Sequence, residues 1–307
     1  MLIAALAAMM ILTSGQDIGP PSPDPVPPQP PAVDLEDIVV EGRPLEDITQ
    51  TFVRQVAAPA RNRGMARWRD GLCVGVANLQ PEMAQYIADR VSTVARDVGL
   101  KPGEPGCVPH VLIAATIDAS AFTRQFVEAR PRIFRVGGSG MDRGASAFEA
   151  FIENDQPVRW WNVSVPVNDD TGRIAIRLPG YGPARNPVQA SRLTTGIVDD
   201  TKRSFIIIDV DKTKDVSLEQ LADYIAFVAL AQVDPEADTS GYATILNVFD
   251  DPAQTRNLTN WDRAYLQGLY DTIRRRKNFG AQRTEVVDSI VRVHGRLTAG
   301  AETEFSD

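Results

Sequence analysis

Apolar residues recur along this chain with two different periods, and the change from one period to the other sets out most of its elements. Residues 72–76 have the composition of a strand. From Pro81, the residues Met83, Ile87, Val91, Val94 and Val98 return every three or four positions up to Gly99. That spacing predicts an amphipathic helix with proline in its first turn and glycine at its end. Residues 108–117 are apolar enough for a strand buried on both faces, and Asp118 is placed to cap a helix carrying Phe122, Phe126 and Val127. A helical stretch over 145–153 precedes residues 158–167, whose alternation predicts another strand, and 169–182 is rich in turn formers. Residues 205–210 form a nearly continuous apolar run, as a central strand requires. Ser217 and Gln220 make a capping box ahead of Leu221, Ile225, Val228 and Leu230. Two further helices are expected over 260–273 and 281–297, and no internal repeat is present. Elements in this order predict an α+β fold, a mixed sheet packed with helices.

Composition narrows the class. With 43% hydrophobic and 23% charged residues, the 307-residue chain has the balance of a globular protein. Its formal charge of -8 argues against nucleic acid as a partner, because phosphates are held by an excess of Lys and Arg. Residues 2–12 form an apolar run, shorter than the roughly 20 residues that span a bilayer but suited to the core of a secretory signal. No basic stretch precedes it, residues 13–15 offer a small-residue cleavage site, and no cysteine follows directly to take a lipid anchor. Export to the periplasm or the medium is the expectation, with no transmembrane segment in the mature chain. Residues 19–31 are mostly proline and favour extended polyproline geometry. The division expected is a signal peptide over 1–15, a proline-rich disordered spacer over 16–50 and a single globular domain over 51–307.

In an exported chain with only two cysteines, Cys73 and Cys107 are most economically paired. The loop so closed stabilises by roughly 3 to 4 kcal/mol in the chain-entropy model. Structural zinc is a poor alternative, because the pair lacks CxxC spacing. The glycines Gly137, Gly138, Gly140 and Gly144 are not a phosphate loop either, since no Lys-Ser or Lys-Thr pair follows them.

The C-terminal half carries a family likeness. Thr244, Ile245, Leu246 and Asn247 are followed by Leu258, Thr259, Asp262, Leu266, Leu269 and Tyr270, behind a helix that begins near Ser217. This order resembles the C-terminal half of a metzincin metallopeptidase, and 258–270 resembles its matrixin form without a gap. The resemblance covers about fifty residues and implies a peptidase-like scaffold. Where such an enzyme carries HExxHxxGxxH, this chain has Asp223, Tyr224, Phe227, Leu230 and Val233, and Leu246 stands in place of the methionine of the later turn. Only His110 and His294 occur in the whole chain, so a displaced three-histidine site is impossible. The half is therefore expected to be degenerate, with no metal, no cofactor and no metallopeptidase activity. Over most of its length the chain is also similar to uncharacterised exported proteins of Gram-negative bacteria. Residues 37–43 resemble the segment that precedes the plug of TonB-dependent receptors; a short strand and turn is the alternative reading of so brief a match.

Other residues carry candidate chemistry. Trp160 and Trp161 are adjacent on a strand and point to opposite faces, so one is expected inward and one outward. With Tyr224 and Phe227 they would line an apolar groove, and in the metzincin layout residues 158–164 would accept an extended peptide by strand addition. A second reading pairs Asp223 with Asp209 or Asp211 for carboxylate-driven hydrolysis, which needs one raised pKa. Asp215 belongs to the same acidic group. Asp234, Glu236 and Asp238 have the spacing with which a calcium loop begins, but lack its glycine and closing glutamate. His110 and His294 are expected to be structural. The function expected is a non-catalytic peptide- or protein-binding module, with a metal-free hydrolase and a structural envelope protein as alternatives.

Overall fold

A computed structural model describes residues 44–60, 63–135, 142–176, 195–274 and 279–304. All of them belong to one unit running from Leu35 to Asp307. The signal-like run, the proline-rich stretch, residues 37–43, Gly137, Gly138, Gly140 and the end of the turn-rich stretch at 177–182 lie outside the described residues.

The first helix, α1 (Leu45–Val56), buries Phe52, Val53 and Val56. Packing therefore begins at least six residues before the boundary expected at 51, because 45–56 carries an amphipathic pattern that the preceding prolines obscure. The first strand is interrupted: β1 (Gly71–Leu72) and β2 (Val74–Ala77) flank Cys73. Helix α2 (Pro81–Asp97) starts with its proline and turns off at Gly99, whose φ of 81° suits a residue without a side chain. Then come β3 (Lys101–Pro102) and β4 (Val111–Thr116). The strand is shorter than 108–117, and Val108 and Ile117 are 81% and 75% exposed beyond its ends. Asp118 caps α3 (Ala119–Ala129) by accepting the Ala121 N–H at 2.8 Å. Short α4 (Pro131–Phe134) and α5 (Ala145–Glu153) follow, then β5 (Val158–Asn168) and β6 (Ile197–Asp209). The C-terminal helices are α6 (Leu218–Leu230), α7 (Asn260–Asp271) and α8 (Phe279–Glu304), with a single 3-10 turn at Ile245–Asn247 between α6 and α7. The capping box expected at Ser217 with Gln220 forms, and Thr259 with Asp262 forms a second one at the start of α7.

The fold is α+β. The main sheet runs β2-β4-β6-β5, with β2, β4 and β6 parallel and β5 antiparallel at one edge; β1 and β3 pair separately in parallel. The disulfide joins Cys73 to Cys107 with their Cα atoms 6.0 Å apart, and fastens the β1–β2 break to the loop after β3. Gly103 lies against it, because a Cβ there would come within 2.6 Å of the Cys107 sulfur. Side chains alternate across the sheet as a pleat demands. Val111, Ile113, Ala115, Ile206, Ile208, Val158 and Trp160 face the core shared with α1, α2, α6, α7 and α8. Phe205, Trp161 and Val163 face the opposite side, where Phe134 and Phe151 from α4 and α5 cover them. Helices α7 and α8 meet at Gly268, where a Cβ would lie 2.6 Å from Ile290. No described helix is long and apolar enough to cross a membrane.

Candidate functional site

The candidate site is built on α6, which is buried on every side from Gln220 to Leu230 and is correspondingly apolar all round. Its buried side chains Gln220 and Asp223 are consequently committed to the protein itself, while Glu219 in the first turn is exposed. The Gln220 amide donates to the carbonyls of Pro252 and Thr255 at 2.7 and 2.8 Å. The Asp223 carboxylate accepts the Leu258 N–H at 2.8 Å with one oxygen and the Arg90 guanidinium of α2 with the other. That hydrogen bond holds the Arg90 pKa above its ordinary value. Arg90 escaped the sequence reading. The available signal was a basic residue directly beside the apolar stripe of α2.

One turn on, the 3-10 turn is tied to α7 in a similar manner. Asp262 is fully buried and accepts the Thr244 hydroxyl at 2.5 Å, the Ile245 N–H at 2.8 Å, and the N–H and hydroxyl of Thr259 at 3.0 and 2.9 Å. Burial pushes its pKa up to about 6 against the pull of these donors.

The C-terminal end of α6 leaves carbonyls without intrahelical partners, and side chains from distant parts of the chain supply donors. Trp68 donates its indole N–H to Ala229 at 2.8 Å, Tyr270 its hydroxyl to Leu230 at 2.9 Å, and Asn162 its amide to Ala231 at 3.0 Å. Trp160 donates to the Val233 carbonyl at 3.1 Å. The backbone after the helix also pairs with the exit of α1, through Ala58 N–H to Gln232 O at 3.0 Å and Asp234 N–H to Val56 O at 2.8 Å.

These contacts revise the expected groove. Trp160 and Trp161 do face opposite sides, but both are buried, at 5% and 2% exposure, because helices cover the sheet on both faces. The Trp161 indole donates to the Phe134 carbonyl at 2.8 Å. Tyr224 packs between Trp160 and Phe249, with ring centroids 5.9 and 4.9 Å away, and burial drives its phenol well above the usual range. Phe227 is fully buried against Tyr265. These four rings and Asp223 form core, so they line no open groove in this conformation.

The other candidates disperse. Asp209 lies 3.9 Å from Lys212, Asp211 pairs with Lys214 at 2.8 Å, and Asp215 is exposed. Asp223 pairs with Arg90 rather than with either Asp209 or Asp211. Asp234 pairs with Arg143 at 2.6 Å, Asp238 accepts the Ser240 hydroxyl at 2.7 Å, and Glu236 is exposed. Among the described residues no three His, Cys, Asp or Glu side chains converge as a metal would require. His110 accepts the Cys73 N–H at 3.3 Å, and partial burial with Lys202 and Arg203 nearby lowers its pKa, keeping it a neutral acceptor. His294 packs on Trp261, 5.4 Å between ring centroids.

One row of β5 backbone is left without a hydrogen-bond partner among the described residues, at Val158 and Trp160, which are 1% and 5% exposed, and at half-buried Asn162. The Pro157 carbonyl accepts the Asp209 N–H at 2.9 Å, which fixes the phase of the β5–β6 ladder. Odd positions from 157 to 163 then bond to β6, and Val158, Trp160 and Asn162 aim their N–H and C=O groups outward. Among the described residues, the outer side of β5 is paired only at its far end, where Val167 bridges Ile174 and the Ala175 N–H reaches Pro166. Pro166 was the overlooked signal, because a proline inside a strand belongs at an edge.

No protein-family model matches the chain, and neither a curated protein nor a solved structure does.

Proposed function

We propose that the protein is an exported, non-catalytic module on a degenerate metzincin-like scaffold, and that it binds an extended peptide or a strand of an envelope protein along the outer edge of β5. The observation that carries this reading is the outward backbone row at Val158, Trp160 and Asn162, on the edge strand where the resemblance places peptide. Strand addition draws its affinity from main-chain hydrogen bonds, so it does not need the buried indoles as contacts. Two further features support a scaffold without chemistry. The helix positions that would hold metal and base carry Asp223, Tyr224, Phe227 and Val233, all consumed by packing or by internal partners. The Asp262 anchor of the 3-10 turn fits the part of the resemblance that concerns architecture alone. The disulfide and the apolar run at residues 2–12 support the periplasm or the medium as the location.

Amide hydrogen exchange on the full chain tests the proposal, with a pool of unstructured peptides from a digest of envelope proteins as probe. The amides of Val158, Trp160 and Asn162 are expected to exchange much faster than those of Arg159 and Trp161 in the free protein, and to slow when peptide is added. Equal protection of all five in the free protein would mean that the edge is covered, and the reading would fail. The hydrolase alternative gains no support, since the carboxylates it would pair have separate basic partners.

A further inference from the structure

Between the last turn of α1, residues Pro59 and Arg63–Met65, and the first turn of α8 lies a cleft of about 70 Å3. Three of its wall residues, Arg54, Arg63 and Arg283, are arginines, and none is acidic. In a chain of formal charge -8 this local excess runs against the average. Arg63 is balanced by Asp199, which accepts its Nε–H at 2.7 Å. Among the described residues Arg54 reaches neutral groups only, the Gln50 carbonyl at 3.3 Å and the Thr51 hydroxyl at 3.4 Å. Arg283 is exposed and has no ionic partner among the described residues. The cleft therefore holds about two uncompensated positive charges.

A second observation concerns Gln282. It is only 8% exposed and lines the cleft, yet its amide has no hydrogen-bond partner among the described residues. Its Oε1 rests against Gly64, where a Cβ would lie at 2.5 Å, so the glycine makes room for the amide in the wall. Helix ends do not decide the sign of the occupant, because α1 presents its negative end and α8 its positive end. Side-chain charge decides it. The donors come from three separate elements rather than one planar fork, an arrangement that suits a tetrahedral anion better than a flat carboxylate.

We propose that this cleft binds a compact tetrahedral oxyanion, a phosphate or phosphoryl group, held by Arg54 and Arg283 with the Gln282 amide as neutral donor. This site is separate from the β5 edge. Calorimetric titration of the full chain at low salt would test it, with inorganic phosphate, glycerol phosphate and acetate as the probes. Phosphate is expected to bind at least about tenfold more tightly than acetate, and Arg54→Gln and Arg283→Gln each to weaken it about tenfold, the loss of one charge-assisted hydrogen bond. Both arginines are exposed, so circular dichroism should report unchanged folding. Glycerol phosphate binding as well as phosphate would identify an esterified phosphoryl group as an acceptable source; its exclusion would restrict the site to the free ion. No heat with either phosphate probe, acetate matching phosphate, or full binding in the double variant would overturn the proposal.

Discussion

The two faces of the central sheet solve the same packing problem with different materials. On the α6 side a broad core of aliphatic and aromatic side chains is threaded with buried carboxylates, Asp223 and Asp262, each saturated by donors. On the other side, Phe134, Phe151, Phe205 and Trp161 pack ring against ring under three short helices. Its main buried ion is Arg159, whose guanidinium donates to the Ile152 and Asn154 carbonyls at 2.7 and 2.5 Å and closes the end of α5. Burial lowers the pKa of this cation. The difference teaches where shape and where hydrogen bonding specify the structure. The aromatic face is defined by volume, whereas the α6 face is defined by buried carboxylates and the donors that complete them, with the Trp261 indole N–H left without a partner.

Truncations should expose that contrast. Phe205→Ala removes the ring at the centre of the aromatic cluster and is expected to cost about 4 kcal/mol in denaturant unfolding, against less than about 1.5 kcal/mol for Phe205→Leu. Asp223→Ala is expected to cost about 3 kcal/mol, since it leaves the Leu258 N–H buried without an acceptor and Arg90 without its counter-charge. Here the near-isosteric Asp223→Asn should recover little, which is the opposite of the aromatic face. A cost for Asp223→Asn as small as that for Phe205→Leu would remove the distinction.

Asp262 gives the contrast a pH dependence. Its carboxyl titrates near pH 6 in the folded chain, above its ordinary 3.8. Between these values the folded chain holds a proton that the unfolded chain has released. Stability from this group is therefore fully present below about pH 4 and is lost as pH rises through 6, by about 3 kcal/mol. Urea unfolding across that range measures the slope, and Asp262→Asn should flatten it. The smallest effect is one where the faces agree. Each indole donates to one carbonyl, so Trp160→Phe and Trp161→Phe are both expected to cost about 1 to 2 kcal/mol.

Most of the fold was legible wherever period and cap agreed, as at Pro81 to Gly99, Asp118, and Ser217 with Gln220. Helix α1 was missed because its stripe follows a proline-rich stretch that reads as spacer. The site was legible only in part. The adjacency of Trp160 and Trp161 correctly placed them on opposite faces, but adjacency carries no information about α4 and α5, which bury the second ring. In the same way, the position of Asp223 on a helix was evident, while its partners lie 133 residues before it in Arg90 and 35 residues after it in Leu258. Pairings across such separations leave no local pattern.

That separation has a consequence for how the molecule is made. The last carbonyls of α6 and its C-cap are completed by residues 68, 162 and 270, which means that no short continuous piece of the chain can finish this helix alone. A chain emerging from its N-terminus, as in synthesis, cannot complete those carbonyls until Tyr270 has appeared.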